Sequence, residues 1–100
     1  MSVATLSRYK TERDYIETVM KHSHAIRDAV VELGAERLVI GQARAGQYTG
    51  DWVTMIRAKD MATLDKILRA LPDNKDFQAI MGSGKMTLEG RHFLDIPEGF

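Results

Sequence analysis

Two helix-forming stripes set among four strand-like segments constrain this chain more than any single motif does. In the first stripe Tyr15, Val19, His22, Ile26, Ala29 and Leu33 recur at spacings of four, three, four, three and four. That spacing draws one continuous face on a helix over about residues 12 to 33. Thr11 stands where an N-cap is needed, Glu12 and Asp14 suit the positive end of the helix dipole, and Gly34 offers a C-terminal stop. In the second stripe Met61, Leu64, Leu68 and Leu71 follow Asp60 as N-cap, and Pro72 ends or kinks the run. "DFQAIM" reads as a further short helical piece, which "GSG" breaks.

The strand-like segments are "SVATLSRYK", "ERLVIGQARAG", "DWVTMIRA" and "KMTLEGRHFLDI". In the first, Val3, Thr5, Ser7 and Tyr9 share one face, and Ala4, Leu6 and Arg8 the other. "GQYTGD" joins the second and third as a longer hairpin loop, with Gly46 and Gly50 free to take positive φ. The order strand, helix, strand, strand, helix, strand is the split βαβ pattern of an α+β, ferredoxin-like domain with a four-stranded antiparallel sheet. No repeat, linker or low-complexity stretch divides the chain, so residues 1–100 read as one domain.

Two helices cover only one face of such a sheet, and the other should then be polar in a monomer. It is not: Val53 and Met55 alternate with Trp52, Thr54 and Ile56, while Val39 alternates with Leu38 and Ile40. A homodimer in which two sheets face each other is the expectation.

Composition removes several functions. Fourteen basic and fourteen acidic side chains leave a formal net charge of zero. No Lys/Arg cluster provides the positive surface that nucleic-acid binding uses. There is no cysteine, so neither a disulfide framework nor a thiolate metal site is open to this chain. No segment is apolar enough to span a bilayer, and the first residues lack the basic and apolar regions of a secretory signal; a cytoplasmic location is the expectation by elimination. "GSGKMT" fails as a phosphate loop, because Ala79 and Met86 stand where glycine and Ser or Thr are required.

"GQYTGDWVTMIRAKDMATLDKILRAL", with its loose G-x-x-x-G-x-W hairpin signature, resembles the dimeric α/β-barrel superfamily, which includes antibiotic-biosynthesis monooxygenase-like proteins. The resemblance covers nearly the whole chain. It implies two sheets facing each other in a dimer, a small-molecule pocket between sheet and helices, and oxygenation, cyclisation or isomerisation without a bound cofactor. No catalytic set of the superfamily transfers residue by residue.

The candidate site residues are His22 as acid or base, and Tyr15, Trp52 and His92 as ligand contacts. His22 occupies a position in the apolar stripe where a leucine is the ordinary choice, and imidazole titrates near neutral pH. The plain alternative is a core histidine satisfied by a carbonyl or by Tyr15. Trp52 offers a flat wall to an apolar or aromatic ligand, or simply core. "HSH" at 22 to 24 cannot chelate, since residues two apart on a helix diverge by about 200°; no metal is expected. The competing function is a ligand-binding, stress-related or regulatory module of the same fold without catalysis.

Overall fold

The computed structural model covers residues 1–100. Strand β1 (Ser2–Thr11) leads through a 3₁₀ turn at Arg13–Tyr15 into helix α1 (Ile16–Glu32). Strands β2 (Arg37–Gln42) and β3 (Trp52–Ala58) form the hairpin. Helix α2 (Met61–Ala70), a 3₁₀ turn at Leu71–Asp73, helix α3 (Lys75–Met81) and strand β4 (Met86–Ile96) complete the chain. The sheet order is β2-β3-β1-β4 and every neighbouring pair is antiparallel. This is the α+β ferredoxin-like arrangement that the segment order requires.

The ends of the helices are built by side chains and turns. Asp60 accepts from Thr63 N at 2.8 Å and Asn74 from Phe77 N at 2.9 Å, so α2 and α3 both begin on a side-chain cap. Helix α1 stops in a Schellman turn: Gly34 N donates to Val31 O and Ala35 N to Val30 O, each at 3.0 Å. Gly34 carries φ 114° there, and a Cβ on it would lie 2.9 Å from Thr63 Cγ2. The N-terminal expectation fails. Thr11 belongs to β1, its hydroxyl has no partner, and α1 starts five residues later without a side-chain cap.

Direct cross-strand partners lie on the same side of a sheet. Val3, Thr5, Ser7 and Tyr9 of β1 therefore share the helix side with Ala58, Ile56, Thr54 and Trp52 of β3, and with Leu38 and Ile40 of β2. Val53, Met55 and Val39 lie on the opposite side, which no helix covers. Between β1 and β4 the register slips at Arg8/Tyr9, where Tyr9 pairs with Leu88 but Arg8 with Gly90. Glu89 is the residue left over, a one-residue bulge.

The core has two parts. One gathers Val3, Val30, Ile56, Leu64, Ile67 and Leu71 under α1 and α2. The other gathers Tyr9, Val19, Trp52, Ile80 and Met86 under α1 and α3. The second stripe differs from the sequence reading by a small rotation. Ile67 is buried, whereas Met61, the first residue of α2, is 47% exposed.

Candidate apolar cavity

A cavity of about 60 Å³ lies between the sheet and helices α1 and α3. Val19, Ser23 and Ile26 line it from α1, and Phe77, Ile80 and Met81 from α3. The floor is the helix side of the sheet: Leu38 and Ile40, then Trp52, Thr54 and Ile56, then Tyr9 and Met86. The alternation of β2 and β3 delivers Leu38 and Ile40, and Trp52, Thr54 and Ile56, to one side, since within each strand they lie two residues apart. On α1 the spacing of four and three from Val19 to Ser23 to Ile26 turns the same face inward.

No carboxylate, amine, guanidinium or imidazole lines the cavity. Its polar groups are few. Ser23 Oγ donates to Val19 O at 2.6 Å, which uses its proton and leaves its lone pairs. Thr54 contributes a hydroxyl from the floor. Trp52 is 7% exposed, and its Nε1–H is sealed from solvent with no acceptor in the chain. A buried indole N–H ordinarily finds a partner, and leaving one unpaired costs about 1–3 kcal/mol. An outer hollow of about 140 Å³ adjoins the cavity. Ser23, Leu38 and Ile40 belong to both walls, and Met20, His24 and Arg27 flank the outer one. The way in therefore runs between α1 and β2.

Of the four residues singled out in the sequence, only Trp52 stands in the cavity wall. His22 turns toward α3 instead of the sheet: its Nδ1 lies 2.8 Å from Asp76 Oδ1, and both side chains are partly exposed. Tyr15 packs against the edge of the second core part and donates its hydroxyl to Ala79 O at 3.2 Å. His92 lies opposite Leu6 on the uncovered side of the sheet and is exposed. Ser23 takes the inward position that the sequence reading gave to His22. Adjacent helical residues differ by about 100°, so a half-polar stripe fits either residue. No group of three or more His, Cys, Asp or Glu could hold a metal ion. No helix is long and apolar enough to cross a membrane.

No protein-family model matches the sequence, and no curated protein matches it. Solved structures match its fold. Rv0793 from Mycobacterium tuberculosis superposes with a TM-score of 0.70 at 17% identity, covering 100% of each chain. A variant of SnoaB, a cofactor-independent oxygenase from Streptomyces nogalater, gives 0.70 at 13% identity, covering 97% of this chain and 94% of that one. A Chloroflexus aurantiacus protein provisionally described as an antibiotic biosynthesis monooxygenase gives 0.71 at 12% identity, covering 100% and 97%. The chain thus has the α+β ferredoxin-like fold found among antibiotic-biosynthesis monooxygenase-like proteins.

Proposed function

We propose that this protein is a homodimeric module that binds an apolar small molecule in the cavity between its sheet and helices α1 and α3. The carrying observation is the wall itself: twelve of fourteen lining residues are hydrophobic, and Tyr9 is the sole ionisable one. Such a site binds by shape and exclusion of water. It offers no ordinary acid or base, and His22, the residue chosen for that role, lies outside the wall. Binding without catalysis by the chain's own groups follows. The homodimer is supported by the uncovered side of the sheet, where Val39 is 39% and Leu94 is 41% exposed beside half-buried Leu6, Val53 and Met55.

A second reading is catalytic, and the His22–Asp76 pair favours it. A carboxylate that accepts from Nδ1 fixes the tautomer and leaves Nε2 as a base. The likeness to a cofactor-independent oxygenase supports the same reading, in which proton transfer would occur at the junction of α1 and α3. Titration of isotope-labelled protein with a set of small apolar compounds separates the two readings. Binding in the cavity shifts the methyl signals of Val19, Ile80 and Met86. Shifts confined to His22 and Asp76 favour the catalytic reading, and no shift at any site at millimolar ligand sinks both.

A further inference from the structure

The inner wall says which part of a ligand goes in, and the residues around its mouth say which part stays out. Met20, Ser23, His24 and Arg27 follow one another along α1 at spacings of three, one and three, which is one helical face turned toward β2. With Leu38 and Ile40 they line the outer hollow of about 140 Å³. Ser23, Leu38 and Ile40 also line the inner cavity, so the apolar wall and the charged one share a border.

The charge at the mouth has one sign. Arg27 stays cationic at any physiological pH and carries a fork of N–H donors, and His24 adds a ring N–H in every protonation state. No carboxylate lines the hollow. Arg27 is also uncommitted. The acid it touches is its sequence neighbour Asp28, with Nε and Nη2 each 3.4 Å from Oδ1, in a pair exposed on both sides. Such a contact contributes little, so the side chain is free to turn over the hollow. A guanidinium grips a carboxylate through a pair of parallel N–H···O bonds.

The inner end sets the shape of the rest. At about 60 Å³ it is well below the roughly 150 Å³ that takes up benzene. A flexible hydrocarbon chain suits such a space and a fused ring system does not. No cation lines the inner wall, so an anionic head is stable only at the outer end.

On the cavity reading above, we infer that the ligand is a straight-chain aliphatic carboxylate, its chain in the inner cavity and its head held by Arg27 and His24 between α1 and β2.

Four probes test the inference on the intact protein. They are octanoate; 1-octanol, the same chain without the charge; octylammonium, with the opposite charge; and 2-naphthoate, the same head on a fused ring. Octanoate should move the methyl signals of Val19, Ile80 and Met86 and bind about three- to fivefold more tightly than octanol. Octylammonium should bind more weakly than octanol, and naphthoate more weakly than octanoate. In Arg27→Gln the advantage of octanoate over octanol should vanish, and the exposed position leaves the fold intact. Added salt should narrow the same gap. Octanol or octylammonium binding as tightly as octanoate, with the methyl signals moved, overturns the carboxylate assignment and leaves the cavity reading standing. An advantage of octanoate that survives Arg27→Gln overturns the placing of the head. Tighter binding of naphthoate overturns the straight-chain assignment. If no probe moves the cavity methyl signals, even where His24 or Arg27 responds, the cavity reading falls and this inference with it.

Discussion

Thr5 sits mid-strand in β1 with 0% exposure, and its hydroxyl has no partner in the chain. Exchange for valine keeps the shape and removes the desolvated oxygen, so Thr5→Val should raise stability by about 1 kcal/mol in urea unfolding. A loss of stability would mean that the hydroxyl is bonded after all. Leu64, also at 0%, is the opposite case: Leu64→Ala should cost about 2–5 kcal/mol, because no neighbour can fill the space it leaves in a close-packed core. His22 lies between these extremes. Its pair with Asp76 is partly exposed, so His22→Leu should cost about 1 kcal/mol or less and leave cavity binding unchanged. His24→Leu, at an exposed position, should leave stability unchanged. A His22 variant that keeps its fold but loses turnover of a bound ligand would restore the catalytic reading.

Among the elements, the caps control how firmly the cavity is roofed. Asn74→Ala removes the bond to Phe77 N and should cost about 1 kcal/mol, with faster amide exchange in α3 before the rest of the chain. Because Phe77, Ile80 and Met81 come from that helix, ligand binding should weaken along with it. Asp60 adds a pH dependence. Its carboxylate accepts from the Thr63 side chain and from Thr63 N, with Lys59 nearby, and its pKa lies below the ordinary 3.8. A lowered folded pKa stabilises above the unfolded value and is lost as pH falls through the folded one. Helix α2 should therefore loosen in strong acid, and Asp60→Asn should remove that part of the acid response. The Asp60 cap was readable in the sequence, as were all four strands, because Asp60 and the alternation of β3 depend on neighbours a few residues away; the Asn74 cap was not singled out. The inward position on α1 was not readable. His22 and Ser23 are adjacent, and only the seating of α3 against α1 decides which one meets the sheet.

For the whole molecule, the uncovered side of the sheet sets the oligomeric expectation. Light scattering after size exclusion should give a dimer at micromolar concentration. Val53 and Met55 belong to that side, so Val53→Asp should yield a folded monomer instead of an unfolded chain. An unchanged dimer would show that the copies meet elsewhere. The bulge in β4 also decides on which side of the sheet His92 lies. Counting by twos from Met86 puts His92 on the helix side, but the leftover Glu89 reverses the parity beyond it. That leftover residue has a genetic consequence. Tyr9 already pairs with Leu88 and Arg8 with Gly90, so removing Glu89 closes the ladder with every other side chain of β4 on its present side. At this one codon the strand should tolerate a deletion, whereas loss of Phe93 would carry Leu94 and all that follows across to the opposite surface.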